Sequence, residues 1–320
     1  MSAVPRAAPH GPAPVESLAE LVGMTPLVRL RRIGAELPGV SIYAKCEFAN
    51  PGGSVKDRAA LRMIEAALAD GRFGPDRTLV DATSGNTGVA YAWICAALGL
   101  RCALVVPANV SAARKRIARS FGAELVFSDP LEGSDGAIRK VRALVAAEPD
   151  RWFYPDQYGN LENPRAHELG TAVEIADALD GQVAAFVAGI GTGGTVTGTA
   201  RGLRRLAPGV ECWAVEPAEP LHGLEGLKHM ASSIVPAIYR EEELDGKLSV
   251  ATADGVAMAE RLGIEEGLRV GHSAGAAVVG ALQIARRLVQ AGREGNVVTL
   301  LPDRADRYFE PRRWERRTAW

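Results

Sequence analysis

Ala184-Ala185-Phe186-Val187-Ala188-Gly189-Ile190 runs directly into Gly191-Thr192-Gly193-Gly194-Thr195. The first seven residues are small or apolar and have strand length, and the loop behind them ends where a helical period begins. A strand that hands over to a helix is the unit of an open α/β sheet, and the handover is where such sheets bind ligands. Backbone N–H groups unshielded by side chains converge on an anion there, and the helix N-terminus adds partial positive charge. The two threonines add hydroxyl donors suited to a compact phosphate monoester. The same run also satisfies GxGxxG through Gly189, Gly191 and Gly194, with Glu216 downstream to meet a ribose. A tight packing turn would use the same glycines, so these residues alone leave three readings open.

The same punctuation extends outward in both directions. Upstream, Val40–Cys46 precedes a helix from about Ser54, Thr78–Ala82 one from Asn86, Arg101–Val106 one from Ser111, and Glu124–Ser128 one from Ser134. Four strand-then-helix units in a row imply a parallel sheet covered by helices. A second series reads as another sheet: a strand at Trp152–Tyr154, a helix over Asn163–Leu179, the strand Ala184–Ile190, a helix after Thr195, and the strand Val210–Val215. From Glu216 to Leu248 the periodicity fades into a connection too long for a routine loop, hence functional or mobile. Helices at Thr252–Gly263 and Ala274–Ala291 and the strand Val297–Leu301 close the pattern. The expectation is an α/β chain of two open, twisted, mainly parallel sheets flanked by helices.

A chain of 320 residues makes two domains most naturally, with a site between them. Hydrophobic residues at 47%, charged residues at 23% and a net charge of -1 are ordinary for a globular protein and leave no basic surplus for nucleic acid. The longest apolar stretch, Val89–Leu100, is shorter than a membrane span and reads as a buried helix. Residues 1–14 hold four prolines and none of the apolar continuity of a signal peptide, so they read as a disordered leader on a cytoplasmic protein. Cys46, Cys95, Cys102 and Cys212 form no CxxC pair and read as reduced core thiols, and the five histidines show no ligand spacing, so no metal site is expected.

Two further loops lie at strand-to-helix handovers. Thr83-Ser84-Gly85-Asn86-Thr87-Gly88 concentrates hydroxyls, an amide and N-terminal backbone donors, a set suited to a small carboxylate. A helix cap would also use such residues, but needs only one of them. Asn50-Pro51-Gly52-Gly53-Ser54-Val55-Lys56-Asp57-Arg58 places Ser54 as a cap and Lys56 in the first helical turn. A cation there opposes the helix dipole, whereas a Schiff-base nitrogen or an amine of lowered pKa does so less. A solvated surface lysine is the plainer alternative.

Together these residues resemble the cysteine synthase and cystathionine β-synthase family of pyridoxal phosphate (PLP) enzymes, from Val22 to about Tyr308. The pieces occur in family order: Gly23-Met24-Thr25-Pro26-Leu27-Val28, the Asn50–Arg58 stretch, the Thr83–Gly88 loop, Gln157-Tyr158, Gly191–Thr195, Ala214-Val215-Glu216-Pro217, Gly271-His272-Ser273-Ala274-Gly275 and Leu301-Pro302-Asp303. The resemblance implies fold type II, tryptophan synthase β-like. It implies a smaller domain at 45–151 bearing the asparagine loop, a larger one at 15–44 plus 152–320 bearing the phosphate cup, and the active site between them. Lys56 would carry PLP as a Schiff base and serve as catalytic base. Gly191, Thr192, Gly193, Gly194 and Thr195 would grip the cofactor phosphate, which turns the earlier choice against a dinucleotide. Asn86 would bond the cofactor's ring hydroxyl and Ser273 the pyridine nitrogen. Thr83, Ser84, Gly85 and Thr87, with Gln157, would hold the substrate carboxylate.

The implied reaction replaces the β-substituent of O-acetyl-L-serine or O-phospho-L-serine with sulfide, or a carried sulfur, by way of an α-aminoacrylate to give L-cysteine. Between Glu216 and Leu248, the segment His222-Gly223-Leu224-Glu225-Gly226-Leu227-Lys228-His229-Met230 departs from the acetylserine enzymes and looks more like the phosphoserine-using branch. Lys228 stands where that branch has an arginine. A lysine keeps the point charge and loses the bidentate fork. β-Replacement to cystathionine or a diamino acid uses the same site, and a noncatalytic binding protein retaining the fold is the alternative of a different class. The resemblance further implies a homodimer, and a partner in the C-terminal tail of a serine acetyltransferase or in a sulfur-carrier protein.

Overall fold

The computed structural model describes residues 14–83 and 85–308. Residues 1–13 of the expected leader, Ser84 and the residues after Tyr308 lie outside the described residues.

The chain opens with β1 (Leu27–Arg29) antiparallel to β2 (Val40–Cys46). Then α1 (Lys56–Ala69) buries Ala59, Ala60, Met63, Ile64 and Ala67, the three-and-four spacing of one helical face. Next come β3 (Thr78–Ala82), α2 (Asn86–Ala97), β4 (Arg101–Pro107), α3 (Ala112–Ser120), β5 (Glu124–Ser128), α4 (Gly133–Ala147) and β6 (Trp152–Phe153). Strands β5-β4-β3-β6 form a four-stranded parallel sheet. The apolar run from Val89 falls in α2, which buries every residue from Ala90 to Cys95 and keeps no solvated face, as a helix packed on several sides must.

The helix expected over Asn163–Leu179 is divided: α5 (Glu162–Ala166), a π-helical turn (His167–Thr171) and α6 (Ala172–Ala178). Such widened turns are frequent at functional sites. After β7 (Ala185–Gly189), α7 (Gly194–Leu206) and β8 (Glu211–Pro217), the long connection leads to β9 (Gly246–Val250), α8 (Thr252–Glu266), α9 (His272–Gln290) and β10 (Gly295–Leu301). The second sheet has the order β1-β2-β10-β7-β8-β9 and is parallel apart from β1. Helices cover both of its faces, α8 and α9 on one side and α6 and α7 on the other, as parallel sheets require.

Two strands change places relative to the expectation. Val40–Cys46, read as part of the first series, pairs along its whole length with β10 in the six-stranded sheet. Trp152–Phe153, read as opening the second series and the larger domain, extends the smaller sheet through Thr78 and Leu79. Periodicity tells which segments are strands, whereas the neighbour of each is set by packing between distant parts of the chain. β9 lies unread at the end of the long connection because Lys247 and Ser249 alternate with Leu248 and Val250 and interrupt the continuous apolar run that marks the neighbouring strands. All four cysteines are buried and unpaired. Among the described residues, no helix is long and apolar enough to cross a membrane, and no His, Cys, Asp and Glu cluster has the makings of a metal site.

Candidate active site

A cavity of about 290 Å³ lies between the two sheets. Lys56, Thr83, Gly85, Asn86, Thr87, Gln157, Gly191, Thr192, Gly193, Thr195, Lys228 and Ser273 all line it, so the structure brings together residues spread over more than two hundred positions. Gly194 stands just behind the lining.

The glycines of the loop after β7 are demanded by close approach. A Cβ at Gly191 would fall 2.5 Å from the Gly226 carbonyl, one at Gly193 (φ +84°) 2.6 Å from Tyr239 Cβ, and one at Gly194 2.1 Å from Asn163 Oδ1. Asn163 Nδ2 donates to the Gln157 carbonyl at 2.8 Å and to Thr192 Oγ1 at 3.2 Å. Thr195 Oγ1 sits 3.2 Å from His167 Nε2, and His167 Nδ1 2.9 Å from Thr171 Oγ1 across the π-helical turn. Burial and the neighbouring Arg58 charge pull the His167 ring down to about 3, so it is a neutral imidazole between two hydroxyls. Bare backbone, two threonines and the start of α7 thus form an anion cup. Glu216, the acid a dinucleotide ribose would need, is buried and already accepts from Met230 N at 2.9 Å and pairs with Lys247 at 3.3 Å.

Lys56 begins α1, and Ser54 Oγ accepts its backbone N–H at 3.3 Å while Val55 holds the cap position. The Lys56 loop is tied elsewhere as well. Val55 N donates to the Pro302 carbonyl at 2.9 Å, and Asp57 accepts from Gly52 N at 2.6 Å and from Trp93 Nε1 at 3.1 Å. Burial lowers the Lys56 pKa, opposed by the charges of Asp303, Glu47 and Asp57.

Facing it, α2 starts at Asn86 with Gly85 as its cap residue, so among the described residues the polar loop is not used up in capping. Thr87 Oγ1 donates to Gln157 Oε1 at 3.0 Å, joining the two expected carboxylate-binding pieces. Ser273, 4% exposed, lies in the first turn of α9. The Lys228 ammonium lies 4.6 Å from the centre of the Tyr158 ring, and its backbone N–H donates to Ile190 at 2.8 Å. The sequence reading assigned no role to Asp303, Arg307, His167 or Asn163. Asp303 stood inside a quoted motif, and the others carried no local signal.

The family model described as pyridoxal-phosphate dependent enzyme matches residues 18–303, and the chain belongs to that family. It is 47% identical over 296 residues to the cysteine synthase of Aquifex aeolicus (strain VF5), an alignment covering 92% of this chain and 90% of that one. The crystal structure of cysteine synthase from Entamoeba histolytica matches with a TM-score of 0.90 at 32% identity, covering 97% of this chain and 93% of the other. O-acetylserine dependent cystathionine β-synthase from Helicobacter pylori matches with a TM-score of 0.83 at 34% identity, covering 93% and 98%. The fold is fold type II and the cofactor is pyridoxal phosphate. The residues present fit that group: a cup stripped of Cβ atoms for a phosphate, a lysine of lowered pKa and a hydroxyl at a helix start, all on one cavity.

Proposed function

We propose that this chain is a cysteine synthase, replacing the β-substituent of an O-activated L-serine with sulfide. The observation that carries the reading is the placement of Lys56, the glycine cup and the Asn86 loop on one cavity between the sheets. Bound pyridoxal phosphate supplies the electron sink that acidifies the substrate Cα–H and lets the β-substituent leave.

The chain's own residues do the rest. Lys56 anchors the cofactor and, as an amine, removes and returns the Cα proton; burial favours its neutral form, the one a base requires. Gly191–Thr195 hold the phosphate, Thr195 through a hydroxyl braced by His167. Asn86 bonds the ring oxygen. Ser273 offers the ring nitrogen a neutral hydroxyl, which does not enforce protonation and so favours β-elimination over transamination. Thr83, Gly85, Thr87 and Gln157, with Ser84, hold the substrate carboxylate, and closure of this loop excludes water. That closure would move 45–151 against 15–44 plus 152–320, with β6 held to the smaller unit.

Lys228 separates the acyl from the phosphoryl leaving group, because its ammonium is the charge a phosphate would meet. The family resemblance supports a cytoplasmic homodimer, with a serine acetyltransferase tail or a sulfur carrier as partner. Rapid mixing of the PLP-loaded protein with O-acetylserine or O-phosphoserine, then sulfide, tests the reading. Wild type should release cysteine and Lys56→Ala should not. Loss of the phosphoserine reaction alone in Lys228→Ala would assign that substrate, whereas cysteine formation by Lys56→Ala at the wild-type rate would end the proposal.

A further inference from the structure

Asn86 is gripped at both ends of its amide by the segment that follows β10. Its Nδ2 donates to Asp303 Oδ2 at 2.5 Å, and Arg307 Nη1 donates to its Oδ1 at 2.6 Å. An acceptor on one side and a donor on the other leave the amide a single orientation. Arg307 is itself seated, because its second terminal nitrogen donates to the Gly52 carbonyl. A Cβ on Gly53 (φ +76°) would stand 2.7 Å from that nitrogen, so the guanidinium rests on backbone that only glycine leaves bare. Asp303 is 1% exposed, is further held by the Tyr308 hydroxyl, and keeps its Oδ1 buried without a partner at the cavity.

We propose that Asp303 and Arg307 are positioning residues that fix Asn86 so that its remaining amide N–H is offered to the ring oxygen of bound pyridoxal phosphate, an inference resting on the role given to Asn86 above. The ring oxygen of the cofactor, once ionised, accepts only. An amide free to turn would present its carbonyl for half of the time and repel it, and the clamp removes that half.

Equilibrium titration of apo-protein with pyridoxal phosphate, followed by affinity and by the absorption maximum of the bound cofactor, tests this without turnover. Asn86→Ala should weaken binding by about tenfold or more, the scale of a hydrogen bond to a charged group, and Arg307→Ala by about twofold, the factor for one of two amide orientations lost. They should shift the absorption in the same direction. The double variant should bind no more weakly than Asn86→Ala alone, and Arg307→Lys should recover part of the loss. Should Arg307→Ala fail to fold, Asp303→Asn enters the same cycle with Asn86→Ala. Wild-type affinity and spectrum in Arg307→Ala, or losses that add in full in the double variant, overturn the proposal. Failure of the wild type to take up the cofactor would instead overturn the functional reading beneath it.

Discussion

Asp81 shows how much one side chain just before the loop between β3 and α2 can report. It is 1% exposed at the end of β3; its Oδ1 accepts from Ala82 N at 2.7 Å and its Oδ2 has no partner. Burial pushes its carboxyl up to about 7, with the Tyr91 hydroxyl beside it. Because the folded pKa lies above the unfolded one, the folded state binds the extra proton between about pH 4 and pH 7. Its contribution to stability is therefore complete below about pH 4 and is lost as pH rises through 7. Asp81→Asn should gain stability relative to wild type on going from pH 5 to pH 8 in urea unfolding, and parallel pH curves would refute this. At this scale the sequence was legible where the backbone itself is demanding. Glycines that tolerate no Cβ and a hydroxyl-rich helix start mark the cup and the asparagine loop. The partners of Asn86, at separations of 217 and 221 residues, leave no local mark.

Between elements, a buried set of charges pins the start of α1. Arg58, 5% exposed, donates to Glu47 and to Glu174 of α6, each at 2.6 Å, and Lys45 of β2 reaches Glu174 at 2.6 Å. Two cations answer two carboxylates, and Lys56 stands two positions before the arginine. Arg58→Met keeps the bulk but strands Glu47 without a cation and leaves Glu174 to Lys45 alone. It should cost about 3–5 kcal/mol in urea unfolding, and a loss below about 1 kcal/mol would mean that water replaces the guanidinium. Strands with an apolar run inside them, β3 and β5 among them, are legible to the residue. β1, three residues long, holds too little pattern, and the α5–α6 segment hides its widened turn because i→i+5 bonding has no residue signature of its own.

For the whole molecule, the question is what joins the two sheets across the cavity. Arg114 of α3 pairs with Glu225 of the long connection, and both line the cavity. The connection beside Glu225 is fastened to the larger sheet, through Lys228 N on Ile190 and Gly226 against Gly191. The pair therefore spans from one sheet's helices to the other's cup. Being half exposed, it should add under about 1 kcal/mol to stability. Arg114→Glu should nonetheless raise KM for the amino-acid substrate, and Glu225→Arg in the same chain should restore it in steady-state kinetics; no restoration by the reversed pair would rule out this bridge.

The position of β10 sets an order on synthesis. The smaller sheet is drawn from one stretch, residues 78–153, and can assemble while later residues are still being added. The larger sheet cannot, since β10 lies between β2 and β7 and is translated after every other strand described. The Lys56 loop waits with it, because Val55 is tied to Pro302. A chain still on the ribosome, or one cut short ahead of Gly295, therefore presents Lys56 without the wall that closes the cavity, so interrupted products should not compete with the finished chain for pyridoxal phosphate.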